Sequence, residues 1–331
     1  MRMTTIEKKL FFSITLPLNM VNADNVREWV MRLLYFEPKN LEGVYDRELA
    51  TKDLMEQFEV ELKLKCNTDT FKIGVSDEMN NIIVSKGRYQ AKLRISLSVE
   101  NIEIDELLSK IDAIFHEYDG IVGYGMTSQD YFWQVNDDPY YYKKRNRSLA
   151  NIDIIPHPRF KHRQIIDLEC LPGHIHSVFD ISFTSAWVMW FGSPFYNFIP
   201  KDTIVGFKPY HKKVEIGRDE LRVMLYDSPW DYDEEENREI QWAYRRHTRL
   251  DEIAHMLEGQ KVEEKNPDPS IQITVNELEH GGDFRIKYFY DSEGRLVQKS
   301  KSTKYEEYEM RKNGTVVWKK SQQLSQFDLE T

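Results

Sequence analysis

Ile104, Leu107, Leu108, Ile111, Ile114, Phe115 and Tyr118 recur at intervals of three and four, so a helix over residues 103–118 carries its apolar groups in one stripe. Asn101 or Glu103 starts it and Gly120 stops it. Just before it, Ala91, Leu93, Ile95, Leu97 and Val99 alternate with polar neighbours, the period of a half-buried strand, and residues 121–126 follow as another strand. The same logic holds upstream. Residues 10–18 read as a strand, and Asn22 caps a helix to about residue 35 with Val26, Trp29, Val30, Leu33 and Leu34 on one face. A short helix is expected at residues 48–57. Phe58, Val60, Leu62, Leu64 and Cys66 then alternate with charges and read as a strand, with shorter ones at 71–75 and 82–84. A β-α-β-β-α-β order of this kind predicts an α+β domain over residues 1–130, an antiparallel sheet with helices packed on one face.

Residues 131–150 form an aromatic and basic connection. A second α/β region spans 151–260, with strands expected at 152–155, 164–169, 177–183, 186–191, 203–207, 213–216 and 220–226 and one long helix over 236–257. Residues 261–270, charged and carrying Pro267 and Pro269, read as a linker. Residues 271–320 then alternate as a β-hairpin meander, including strands at 295–300 and a hairpin at Asn313-Gly314, and 321–331 are expected as a disordered tail. Tyr288-Phe289-Tyr290-Asp291-Ser292-Glu293-Gly294-Arg295-Leu296 resembles the Tyr-Asp repeat of bacterial toxin-delivery shells, but it occurs once, so the likeness implies a hairpin turn and no shared function.

Of the 331 residues, 45 are Lys or Arg and 55 are Asp or Glu, a formal charge of -10 that disfavours approach to polyanions. The longest apolar runs fall far short of the ~20 residues of a spanning helix, so no membrane role is expected. Only Cys66 and Cys170 are present, which argues against a disulfide scaffold, and together with an N-terminus lacking a signal-peptide pattern this predicts a cytoplasmic protein.

No dinucleotide, phosphate-loop, nucleophile-elbow or Cys-x-x-Cys signature occurs. Gly173-His174-Ile175-His176 is the most metal-like phrase, because residues two apart on a strand share a face, with Asp180 two pleats on. His157, His162, Asp167, Glu169 and Cys170 are further candidate ligands. His247 and His255 stand eight apart, too far for chelation from one helix face, and read as a solvated surface. Tyr140, Tyr141 and Tyr142 followed by Lys143, Lys144, Arg145 and Arg147 have the composition of a single-strand nucleic-acid reader, but four cations are too few against the net charge, and a loop with buried tyrosines is the expectation. Residues 227–239 hold seven acids and one base around Trp230 and Tyr232, an acidic surface with aromatic anchors of the kind that make interface hot spots.

The stretch Ala186-Trp187-Val188-Met189-Trp190-Phe191-Gly192-Ser193-Pro194-Phe195-Tyr196-Asn197-Phe198-Ile199-Pro200, with the acidic charge and motif-free α+β layout, resembles bacterial immunity proteins that neutralise polymorphic toxins, loosely over residues 1–260. The resemblance implies a non-enzymatic inhibitor without cofactors whose acidic surface plugs a basic toxin. Here Trp230, Asp231, Tyr232, Asp233, Glu234 and Glu235 would make that contact. The alternative is a metal-dependent hydrolase or nuclease centred on His174 and His176, with Asp180.

Overall fold

In the computed structural model, residues 8–43, 53–150, 152–157, 160, 163–263, 270–274, 278–311 and 315–324 are described. His162, Pro267, Pro269, the Asn313-Gly314 turn and residues 325–331 lie outside them. The chain divides into two units, residues 1–259 and 260–331.

The first unit begins β1 (Lys9–Leu16), α1 (Ala23–Arg32), β2 (Asn40–Glu42), α2 (Leu54–Lys65), β3 (Phe71–Ser76), β4 (Asn81–Lys86), β5 (Ala91–Ser98), α3 (Ile104–Glu117) and β6 (Val122–Thr127). It continues α4 (Ser128–Val135), α5 (Pro139–Lys144), β7 (Ile154–Pro156), β8 (Gln164–Ile166), β9 (His176–Val178), β10 (Ile181–Phe183), β11 (Val188–Phe191), α6 (Lys201–Gly206), β12 (Lys212–Glu215), β13 (Leu221–Met224), α7 (Glu235–Thr248) and α8 (Leu250–Glu263). A nine-stranded antiparallel sheet in the order β12-β13-β11-β6-β1-β5-β4-β3-β2 organises the unit. The fold is α+β.

β1 is the hinge of this topology. It pairs with β5 on one side (Phe12 opposite Ile95) and with β6 on the other (Phe12 opposite Gly125). Gly123 and Gly125 make β6 narrow enough to be crossed by large rings: a Cβ on Gly125 would collide with Phe12, and one on Gly123 would lie 2.5 Å from the Ile14 side chain. β11 then adds to β6, Val188 opposite Gly125 and Trp190 opposite Gly123. Residues 1–130 and 151–260, expected as separate regions, thus contribute strands to one sheet. The Ala186–Pro200 stretch supplies its centre: Val188, Met189, Trp190 and Phe191 are all buried.

Local sequence misled at five places in this unit. Residues 58–66 form most of helix α2, not a strand. Asp53 caps it through its carboxylate to Met55 N (2.9 Å) and Glu56 N (3.2 Å), and the core takes Phe58 and Leu62, one turn apart, while Val60 and Leu64 are exposed. Residues 203–207 belong largely to the short helix α6, of which Ile204 is the buried residue. Residues 177–183 are a hairpin, β9 and β10, turned at Phe179 and Asp180, whose φ values of 51° and 63° no continuous strand permits. The long helix expected over 236–257 breaks at Arg249 (φ 53°) into α7 and α8. The connection at 131–150 contains α4 and α5, anchored by buried Trp133 and Tyr142, with the Tyr142 hydroxyl donating to Trp133 O at 3.0 Å.

Buried polar pairs fasten the helices to this frame. Asp112 on α3 accepts from Trp190 Nε1 and Arg222, both at 2.7 Å. Fully buried Asp130 on α4 accepts from Gln134 at 2.9 Å and from Arg238 on α7 at 2.8 Å. Gln241 donates to Ser185 O at 2.6 Å.

The second unit holds β14 (Ile271–Thr274), β15 (Phe284–Tyr290), β16 (Lys304–Met310) and β17 (Val316–Gln323), paired in that order as an antiparallel meander. Its interior includes Phe289, Tyr305 and the fully buried carboxylate of Glu309, which accepts from His280 N and Gly282 N at 2.8 Å and from Arg285 at 3.1 Å. Asp291 caps the turn at Glu293 N and Arg295 N, both 2.9 Å. Residues 295–300 are not a strand: they hold one isolated bridge, Tyr290 to Leu296, and lead into a 3-10 turn at Lys299–Lys301.

Candidate functional site

Ser228 opens the acidic stretch by accepting from Trp230 N (3.3 Å), which winds Pro229–Asp231 into a 3-10 turn. Asn237 closes the turn onto Asp231 O at 2.7 Å. α7 follows at Glu235, so Glu235 and Glu236 occupy its first turn, where the positive end of the helix dipole favours them.

The six residues divide by what already holds them. Tyr232 is buried, 8% exposed, with the Arg238 guanidinium 5.1 Å from its ring centroid, so it anchors the turn inward. Asp233 is engaged from two sides: Arg147 reaches it bidentately at 2.6 and 2.9 Å, and Arg238 lies at 3.4 Å. Burial alone would raise the Asp233 carboxyl; the hydrogen bonds and charge of Arg147, with the charge of Arg238, outweigh it and hold the group below the usual carboxylate range. Asp231, Glu234 and Glu235 are exposed and have no ion-pair partner among the described residues. Trp230 is half-buried, with Lys8 Nζ 5.9 Å from its ring centroid.

Trp230 and Lys8 line both of two adjoining cavities. One, of 480 Å³, is bounded also by Trp187, His211 and Asp227; the other, of 370 Å³, by Lys9, Thr127, Gln129, Tyr232 and Asp233. His211 and Asp227 pair at 3.2 Å. The surface is therefore mixed in charge near the indole, with Lys8 and Lys9 beside the acids. Only the fold could reveal those lysines there, because β1 lies beside β6 and not beside the 228–235 turn in sequence.

Tyr142, Lys144, Arg145 and Arg147 of the aromatic and basic stretch make contacts within the fold. Arg145 sits over the Phe132 ring at 4.5 Å, Arg147 over Trp133 at 4.9 Å while bonding Asp233, and Lys144 over Tyr140 at 5.7 Å. Tyr142 is buried, and Tyr140 and Tyr141 are exposed.

The histidine phrase assembles differently from its sequence spacing. Asp180, at the β9–β10 turn, faces away to accept from Tyr89 N (3.1 Å) and Gln90 N (3.4 Å), so the set His174, His176 and Asp180 does not converge. Instead α8 approaches β9. His176, 4% exposed, places Nε2 2.9 Å from Asp251 Oδ1, and Asp251 is held by Arg245 through Nε at 3.1 Å and through its second nitrogen. Burial opposes ionisation of Asp251, but His176 and Arg245 hold its carboxyl well below the usual range. Glu169 Oε1 lies 2.9 Å from His255 Nε2, a pairing that raises the His255 imidazole. The His176 ring centroid is 4.6 Å from that of His174 and 5.1 Å from that of His255. His174 is pushed down to about 4, first by burial and then by its neighbours His176 and Arg245, and its Nδ1 is buried without a partner among the described residues. His255, read from sequence as a surface residue, thus joins a cluster because the break at Arg249 redirects α8.

Lys92 gave no signal in the sequence. On β5 it occupies a polar position of the alternation, yet the β9–β10 hairpin covers it: Nζ is 3.1 Å from Ser177 Oγ and 3.5 Å from Ser182 Oγ, and burial, with Arg94 nearby, lowers the amine to about 8.

No family model matches the chain, and no curated protein matches it. Among solved structures it is similar to the Pseudomonas aeruginosa T6SS protein PA0821, with a TM-score of 0.45 and 10% identity over 74% of this chain and 75% of that one. No described helix is long and apolar enough to cross a membrane.

Proposed function

We propose that the protein is a non-enzymatic, cytoplasmic binding protein of the immunity type, which inhibits a basic, toxin-like protein by covering its surface, and that it needs no cofactor to do so. The observation that carries this reading is the state of the 228–235 turn. Asp231, Glu234 and Glu235 are exposed and uncommitted, and the half-buried indole of Trp230 stands between two cavities able to receive partner side chains. Uncommitted carboxylates steer a basic partner, and the aromatic anchor supplies the desolvated contact. Asp233 and Tyr232 hold the turn in shape and line the smaller cavity. The hydrolase alternative does not assemble on His174, His176 and Asp180 as its sequence spacing suggests, because Asp180 serves the Tyr89 and Gln90 amides.

The test is affinity capture from the native host at moderate salt, comparing the wild type with the double variant Glu234→Lys, Glu235→Lys. One stoichiometric basic companion, retained by the wild type and lost by the variant, is the expected result. Recovery of the same companions by both proteins contradicts the reading.

A further inference from the structure

We propose that Glu169, His176 and His255 form a binding site for a divalent transition ion of the zinc class. Their ligand atoms all lie within 4.8 Å of one another, although the residues come from the turn before β9, from β9 itself and from α8. Zinc bonds of ~2.0–2.2 Å place tetrahedral ligand atoms roughly 3.3–3.6 Å apart. The cluster must therefore contract by about 1 Å to close on an ion, a shift within reach of side-chain rotation.

The residues differ in freedom in a way that suits this closure. His176 is buried and fixed through Nε2 by Asp251, which Arg245 holds in turn. A carboxylate on the ring of a ligating histidine is the usual companion of such sites, where it sets the orientation of the imidazole. Glu169 and His255 have side chains 53% and 46% exposed, and they can rotate toward the fixed ring. Asp251 also neutralises Arg245, whose charge would otherwise repel a cation beside His176.

Two imidazoles and one carboxylate select zinc, cobalt or nickel over magnesium or calcium, which prefer oxygen ligands. Three protein ligands leave a fourth position for water. An ion there would tie residue 255 to residues 169 and 176 across the β9–α8 approach. The site shares no residue with the Trp230 turn, so it stands or falls separately from the proposed partner binding.

The test uses the full chain with any histidine tag removed, stripped with EDTA and then equilibrated with zinc chloride. The readouts are zinc retained after desalting, melting temperature, and the visible spectrum with cobalt. The surface variants Glu169→Gln and His255→Ala report on the ligands, and His211→Ala controls for other surface imidazoles. The expected result is about one zinc per chain in the wild type and in His211→Ala, a higher melting temperature with zinc, and affinity weakened at least about tenfold in Glu169→Gln and His255→Ala. No retention by the wild type, or equal retention by the two ligand variants, overturns the site.

Discussion

The Trp230 turn and the histidine cluster treat similar side chains in opposite ways. At the turn, Asp231, Glu234 and Glu235 reach solvent without an ion-pair partner among the described residues, while at the cluster the charges are turned on one another: Asp251 on His176 and Arg245, Glu169 on His255. The difference lies in what the backbone does. α7 opens at Glu235 with acids on its exposed first turn, whereas the left-handed Arg249 at its other end swings α8 back so that Asp251 meets Arg245 only six residues away. Uncommitted charge offers long-range attraction to another macromolecule; charge satisfied internally offers a rigid local geometry.

The largest expected effect breaks the cluster and spares the turn. Arg245 is 1% exposed and donates to Asp251, Pro172 O and His174 O. Arg245→Ala leaves His174 O without this donor, Asp251 with His176 alone and Pro172 O with Ser185 alone, and is expected to cost about 3 kcal/mol in urea unfolding. A loss below about 1 kcal/mol would show that the network is not the anchor described. On the other side of the comparison, Trp230→Ala should weaken partner binding by about 2 kcal/mol or more, measured by calorimetry, with unchanged far-UV circular dichroism.

Asp233 lies between the two behaviours, since it is exposed yet paired. Asp233→Asn is expected to cost about 1 kcal/mol or less, because solvent screens its pair with Arg147. Its carboxyl is depressed below 3.8 in the folded chain, so the contribution is present above that pH and vanishes as pH falls through the lowered value. Stability curves of wild type and variant should therefore converge in acid; a constant offset down to pH 2 would assign the effect to something other than the ion pair. The smallest effect belongs to Glu234→Gln with Glu235→Gln, which should leave stability within about 0.5 kcal/mol while slowing association.

Legibility in the sequence follows the range of the interactions. The C-terminal meander pairs neighbours, and α3 and β5 show their periods, so alternation and stripe sufficed for them, save residues 295–300, where one isolated bridge and a 3-10 turn replace the expected strand. Residues 58–66 satisfied both periods, since Phe58 and Leu62 are apolar at helical spacing inside an alternating run; Asp53 and Glu56, three apart, were the helix signal that should have decided it. The turn at Asp180 and the break at Arg249 rest on left-handed residues that are not glycine and leave little trace in local pattern. The acids around Trp230 were visible as a run. Which of them are free was not, because Arg147 reaches Asp233 from the loop after α5 and Lys8 and Lys9 come to Trp230 from the start of the chain's first strand.

The central claim is that the carboxylates left free at the turn steer a basic partner. Stopped-flow association of the captured companion with wild type and with Glu234→Lys, Glu235→Lys, across ionic strength, tests it most directly. The account predicts slower association by the variant and a flatter salt dependence, with the dissociation rate little changed. Identical association rates and salt slopes for the two proteins would contradict it.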